Sequence, residues 1–286
     1  TTLVSAHATA QTSDGPYWSS YPIPAGVTST RLLGSSFVAQ TATDIHLYSS
    51  IHRNWTVVPV VSGATVTTTN DYSIVQDGTT FHAWSARTGT VQSLSAAAGA
   101  TLSVGSTSSS WVCYVRDGST FYGYSAFLGH WEPLVLQGSL QFSGIGSHAL
   151  LVADDTEVHA FSAFFGTWVT ESTVPGATCT AFRNGGIVTS TGPNVAVLQY
   201  PSQTLGYAPG IDAFVALPHN SAVQLASGSF GCLAIVDDGT TATGFSGLTG
   251  HATPCPVPGS YSWYLGDTVG FGTDPNGIGI GYSALR

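Results

Sequence analysis

Tyr124–Trp131 reads YSAFLGHW, and Phe161–Trp168 reads FSAFFGTW. Each octapeptide opens on an aromatic residue followed by serine, turns at a glycine, and closes on tryptophan. Outward from these two, Tyr48 opens YSSIHRNW, Trp84 opens WSARTGTV, Tyr200 opens YPSQTLGY, Phe245 opens FSGLTGHA and Tyr282 opens YSALR. The seven opening aromatics are 36, 40, 37, 39, 45 and 37 residues apart. A period in that range marks a repeat architecture in which each unit buries its apolar faces only against its neighbours.

Other landmarks keep the same phase. A turn precedes each of the last six motifs: Asp77-Gly78, Asp117-Gly118, Asp154-Asp155, Gly192-Pro193-Asn194, Asp238-Gly239 and Asp274-Pro275-Asn276-Gly277. Asp-Gly between apolar runs signals a tight hairpin, whose central residues need positive φ. A glycine follows most units about seven or eight residues after the motif's end (Gly63, Gly99, Gly138, Gly176, Gly259) and reads as the connection to the next. In the third unit four strands are expected at 100–105, 111–116, 120–126 and 131–136. Four short strands per unit of about 40 residues predict a β-propeller blade. The last motif stops at Arg286 without a fourth strand, while Gly15–Gly26 resembles the fourth strand of the third unit, GHWEPLVLQG. The expected fold is therefore all-β: a seven-bladed propeller over 15–286, with the outer strand of the last blade supplied by the N-terminus. Residues 1–14 remain as an arm.

The pairs Tyr48/Trp55, Tyr124/Trp131 and Phe161/Trp168, with Tyr200/Tyr207 as a weaker match, resemble kelch repeats. There a third-strand Tyr is followed seven residues later by a Trp opening the fourth strand. The likeness runs along nearly the whole chain but lacks the paired glycines kelch repeats carry in their second strand. It implies a partner-binding propeller, and nothing here matches the copper ligands of the galactose-oxidase branch.

Charge narrows the function classes. Only 7% of the residues are charged, and the net charge is −9 with six Arg and no Lys. Average soluble proteins carry roughly 25% charged residues. No basic patch can offset nucleic-acid phosphates, and without Lys there is no Schiff-base chemistry. No apolar run approaches the roughly 20 residues of a membrane helix. We expect a mature secreted or cell-surface protein, since the chain has no Met and its start is not a signal peptide. Cys113, Cys179, Cys232 and Cys255 fit no metal-ligand spacing and allow either two disulfides or buried thiols.

Three residue sets are candidates for a site. The tips between third and fourth strands carry Ile51, Phe127, Leu128, Phe164 and Phe165 on one rim. Exposed apolar clusters mark contact surfaces. The opposite rim gathers Asp44, Asp77, Asp117, Asp154, Asp155, Asp237, Asp238 and Asp274. The pairs Asp154-Asp155 and Asp237-Asp238 are the candidates for Ca²⁺, against the simpler role of aspartate bonding its own turn. In the arm, Leu3, Val4, Ala6 and Ala8 suit a strand donated to another sheet edge. His46, His82 and His159 lie two residues before the motif aromatic and read as repeat-encoded packing residues, too far apart across blades to share a metal. No GxSxG, P-loop or HExxH is present. The leading expectation is a non-catalytic recognition or assembly module that binds itself or another surface protein. The alternatives are a glycan-binding propeller and a polysaccharide lyase or other propeller enzyme.

Overall fold

The computed structural model describes residues 12–13, 19–20, 22, 25–61, 63–105, 110–172, 195–199, 204–218, 224–227, 232–257, 259, 261–266 and 268–285. The chain is a seven-bladed β-propeller made of antiparallel meanders. Blade one comprises Ser29–Leu33, Ser36–Gln40, Asp44–Ser49 and Asn54–Pro59; blade two Thr65–Thr68, Tyr72–Asp77, Thr80–Ser85 and Val91–Ser95. Blade three comprises Thr101–Val104, Val112–Asp117, Thr120–Ser125 and His130–Val135; blade four Phe142–Ile145, Ala149–Ala153, Glu157–Ser162 and Trp168–Ser172. Blade six comprises Gln224–Ser227, Leu233–Asp237, Thr241–Ser246 and Ala252–Pro256. Among the described residues blade five has three strands (Ala196–Gln199, Thr204–Ala208, Ala213–Leu217), and so has blade seven (Ser262–Leu265, Val269–Thr273, Gly279–Ser283).

Sequence explains the layering. The second and third strands of most blades are nearly continuous buried runs, such as ALLVA at 149–153, because a neighbouring blade covers each face. Fourth strands are more exposed, as at Trp168–Ser172 and Ala252–Pro256, because they line the outer edge. The seven-residue aromatic spacing has a simple cause: Tyr48, Tyr124 and Phe161 stand directly opposite Trp55, Trp131 and Trp168 across the hairpin. Their ring centroids lie 5.1, 4.9 and 5.1 Å apart.

Two expectations are corrected. In blade five the pair is Tyr207 opposite Phe214, at 5.2 Å, and not Tyr200 with Tyr207. The turn confirms this register. Five residues after the aromatic, Gly89, Gly129, Gly166 and Gly250 have φ of 68, 68, 66 and 71°, and Arg53 and Asp212 take that place in blades one and five with φ of 53 and 51°. Left-handed backbone costs a non-glycine residue about 1 kcal/mol, and Asp212 recovers it by accepting hydrogen bonds from Tyr207 Oη and Thr167 Oγ1. The second correction concerns the N-terminal segment. Ser19–Ser20 pairs with Thr12–Ser13 in a two-stranded ribbon, and neither residue pairs with blade seven. A local hairpin closes a far shorter loop than pairing with a strand more than 250 residues away, and costs less chain entropy. The exit from this segment still follows the repeat: Gly26, Gly63 and Gly99 share φ of 93, 98 and 99°.

Blades one to seven pack in sequence through six apolar clusters. Leu47 meets Trp84, Ala83 meets Tyr124, and Ala160 meets Tyr207. A β-carbon on Gly123 would lie 3.0 Å from Phe161. Gly206 faces Phe245 in the same way, and Gly244 faces Tyr282. The rule is that the third-strand aromatic of one blade sits over the residue preceding the aromatic of the blade before it.

Candidate functional site: an aromatic rim

The serine after each aromatic organises the rim. Ser85, Ser125 and Ser162 donate their hydroxyls to the carbonyls of Ala126, Ala163 and Pro209 in the next blade. The same oxygens accept amides of the following turn: Arg87 and Thr88, Leu128, and Phe164 and Phe165. One hydroxyl thus ties blade to blade and fixes the conformation of the rim turn, so the turn's side chains are displayed from a rigid base.

What those turns display is a ladder of planes across blades two to four. Trp111 stacks on Phe127 at 4.2 Å, Phe127 meets Phe164 at 4.8 Å, and Phe164 stacks on His148 at 5.0 Å with an 11° interplanar angle. The Arg87 guanidinium lies 4.4 Å from the Phe127 centroid and 5.7 Å from that of Trp111. An exposed cation over such a ring gains about 0.5–1 kcal/mol. Leu128 and Phe165 stand beside the ladder, 46 and 48% exposed, and Ile51 is 49% exposed on blade one's corresponding turn. Behind Arg87, burial raises the Asp71 carboxyl above its usual range, opposed by the Ser35 hydroxyl and by Arg87 itself.

The structure therefore brings Phe127 and Phe164 together, with Leu128 and Phe165 next to them along their turns, and places Ile51 on the turn of blade one. Arg87, Trp111 and His148 are the members that sequence reasoning missed. A signal existed: Ser35, Asp71, Trp111 and His148 recur at the spacings of the motif aromatics, and each offers its carbonyl to the residue two beyond that aromatic. The arm residues Leu3, Val4, Ala6 and Ala8 lie outside the described residues, as does Cys179.

On the opposite rim the aspartates act on backbone. Asp77, Asp117 and Asp154 accept the amides of Val61, Ala97 and Gly138, each in the linker leading into its own blade. Burial pushes the Asp154 carboxyl up, but the donors of Thr156, Gly138 and Glu157 outweigh it and hold it at about 2. Asp155 accepts from Ser139, Asp237 from Gly239 and Trp263, and Asp238 from Thr240 and Thr241. Among the described residues no three His, Cys, Asp or Glu side chains converge as a metal site would require.

His46, His82 and His159 are 2, 8 and 2% exposed. His82 Nδ1 bonds Ser93 Oγ at 2.8 Å and His159 Nδ1 bonds Thr170 Oγ1 at 2.9 Å, each with the residue across the hairpin. Burial lowers all three pKa values, and the nearby carboxylates Asp44, Asp77, and Glu157 with Asp154 only partly oppose it. A histidine whose folded pKa lies below its unfolded value near about 6.5 takes up protons on unfolding. Its contribution is complete above that value and is lost as pH falls toward the folded pKa. Stability followed by urea unfolding is thus expected to decline from below about pH 6.5. His82→Gln with His159→Gln should flatten that limb, and an unchanged slope would contradict the assignment.

No family model matches the chain, and no curated protein matches it. Solved structures do. Apo AztD from Citrobacter koseri is 10% identical over 94% of this chain and 86% of that one, with a TM-score of 0.34. Kluyveromyces lactis Hsv2 is 11% identical over 91 and 99%, with a TM-score of 0.32. PorZ, a surface component of the type-IX secretion system of Porphyromonas gingivalis, is 11% identical over 86% of this chain and 35% of its own, with a TM-score of 0.32.

Proposed function

We propose that this chain is a non-catalytic recognition and assembly module of the cell surface or extracellular space, and that it engages a protein partner, a second copy or another surface protein, through the rim of blades two to four. The observation that carries the reading is the ladder Arg87, Phe127, Trp111, Phe164 and His148, flanked by exposed Leu128 and Phe165. Aromatic and arginine anchors on a rigid base are the chemistry of protein hot spots, and truncating one costs about 2 kcal/mol or more of binding. The low charge of the chain favours association, since few like charges repel. The kelch-like spacing agrees with a partner-binding role, and the arm at 1–14, through Leu3, Val4, Ala6 and Ala8, is a second proposed contact by strand addition.

The test is sedimentation at physiological salt, first of the parent chain and then of two variants. Leu128→Ser with Phe165→Ser alters exposed side chains and should leave unfolding within about 0.5 kcal/mol of the parent. Its self-association is expected to weaken by about 30-fold or more. A chain lacking residues 1–14 reads the arm separately. If both variants associate as tightly as the parent, the rim and arm are not the contacts. A glycan-binding role is the second reading. It is favoured by the stacked planes of Trp111, Phe127, Phe164 and His148, on which a sugar face can lie, and binding on a glycan array that Phe165→Ser abolishes would establish it.

A further inference from the structure

The two rims of the propeller are chemically unlike. The turns of the aromatic rim carry Arg53 and Arg87, both exposed. Its carboxylates are engaged: Asp71 is buried and accepts from Ser35 Oγ, and Asp212 accepts from Tyr207 and Thr167. The opposite rim gathers the turn aspartates, and blades two to four alone place Asp77, Asp117, Asp154 and Asp155 there. Arg116 beside them bonds the Gly118 carbonyl of its own turn. Aliphatic side chains accompany these carboxylates. Val61, 67% exposed, gives its amide to Asp77 at 3.1 Å. Val135, 54% exposed, stands opposite Thr120, the residue that pairs with Asp117. One rim thus sets arginine among aromatic rings, and the other sets carboxylates among valines.

We propose that the aromatic rim of blades two to four docks on the acidic rim of a second copy, so that molecules stack head to tail along the propeller axis. The proposal rests on the reading of the aromatic rim as a contact surface and names what it meets. Arg87 finds carboxylates on the acidic rim, while Leu128 and Phe165 find Val61 and Val135. Contact with the faces of Phe127 and Trp111 consumes none of a guanidinium's five N–H donors, so Arg87 can hold a carboxylate at the same time. No single molecule can satisfy the match. The two surfaces lie at opposite ends of strands such as Thr80–Ser85 and Thr120–Ser125, about 15–20 Å apart. Aromatic rim on aromatic rim would set arginine against arginine, and acidic rim on acidic rim would set aspartate against aspartate. Like charges brought together in an interface cost affinity, and only the head-to-tail pairing opposes unlike ones. Such a contact joins two different faces of the same molecule. Because those faces point in opposite directions, it repeats without closing, and its product is a filament.

Two complementary variants test this by sedimentation at physiological salt. Asp77→Asn with Asp117→Asn and Asp155→Asn discharges the acidic rim, and each asparagine keeps an oxygen for the amide of Val61, Ala97 or Ser139. Leu128→Ser with Phe165→Ser disables the aromatic rim. The parent is expected to form a concentration-dependent series beyond the dimer, and each variant alone to associate at least about tenfold more weakly. An equimolar mixture should regain the parental affinity yet stop at the heterodimer, because one intact face of each kind remains and both outer faces are disabled. Val61→Ser with Val135→Ser alters the same rim at exposed side chains alone, and in the mixture it must give the same heterodimer. A mixture that associates no better than its components overturns the proposal. So does an acidic-rim variant that polymerises like the parent; if the aromatic-rim variant is still impaired, the contact runs rim to rim and the reading of the aromatic rim survives. A parent that stays monomeric also overturns head-to-tail stacking and leaves the rim to another surface protein. An aromatic-rim variant that polymerises like the parent removes the underlying reading as well.

Discussion

Trp84→Ala is expected to lower unfolding stability by about 3–5 kcal/mol, the range for removing a large buried aromatic. The apparent melting temperature should fall by on the order of 10 °C. Trp84 is fully buried between blades one and two, among Val38, Ile45, Leu47, Val58 and Val75. The cavity cannot collapse easily, because Val38, Ile45, Leu47 and Val75 are also held by strands hydrogen-bonded on both edges. The indole Nε1 is buried without an acceptor among the described residues, so truncation removes apolar contact and sacrifices no hydrogen bond. Trp84→Phe separates these contributions. It keeps most of the buried ring and discards the unsatisfied donor, and should cost well under half as much as alanine. Urea unfolding of the three proteins decides the matter, and a Trp84→Ala loss below about 1 kcal/mol would mean that this interface yields, contrary to close packing.

The parts of this molecule that sequence made legible are those that repeat physically. The aromatic-serine dipeptide recurs because one hydroxyl must both brace a turn and reach the next blade, as Ser85, Ser125 and Ser162 do. Blade five was misregistered where that chemistry lapses. Tyr207 is followed by Ala208, and the link to blade six is the Gly210 amide donating to the Gly247 carbonyl instead. Tyr200, seven residues earlier, then offers a false match. The turn glycine that could have corrected the register is Asp212, held in the left-handed conformation by Tyr207 and Thr167. Pairing of the N-terminal segment was illegible for a different reason. Likeness to a fourth strand in GPYWSSYPIPAG states that a segment can be an edge strand but not which edge it joins. The rim was half visible: Phe127 and Phe164 stand out as apolar residues on turns, whereas Trp111 and His148 precede strands, where an aromatic residue draws no notice. Their meeting depends on how blades two to four fan out, a long-range property no local pattern encodes.

The second large effect tests the blade order itself. Gly206→Val should destabilise the chain by about 1–3 kcal/mol, the cost of forcing extra atoms into a packed core. A β-carbon there would crowd the Phe245 ring, reaching Cδ1 at 2.7 Å. Phe245 is fully buried, with Val195, Val197, Ala234 and Val236 packed around it, so the ring has no room to retreat. Backbone strain is not the cause, since Gly206 lies within the strand Thr204–Ala208 at an ordinary extended position. The clash therefore predicts its own remedy. Phe245→Leu alone creates a void and destabilises, yet combined with Gly206→Val it gives the new methyl groups the vacated space. The double variant should be more stable than the sum of the single losses implies, by about 0.5–3 kcal/mol in a double-mutant cycle. Strictly additive losses would mean that residues 206 and 245 do not touch, and the stacking of blade five on blade six would have to be redrawn. The same cycle run on Gly123 and Phe161 should give coupling of the same sign, because both pairs obey one rule of aromatic over glycine.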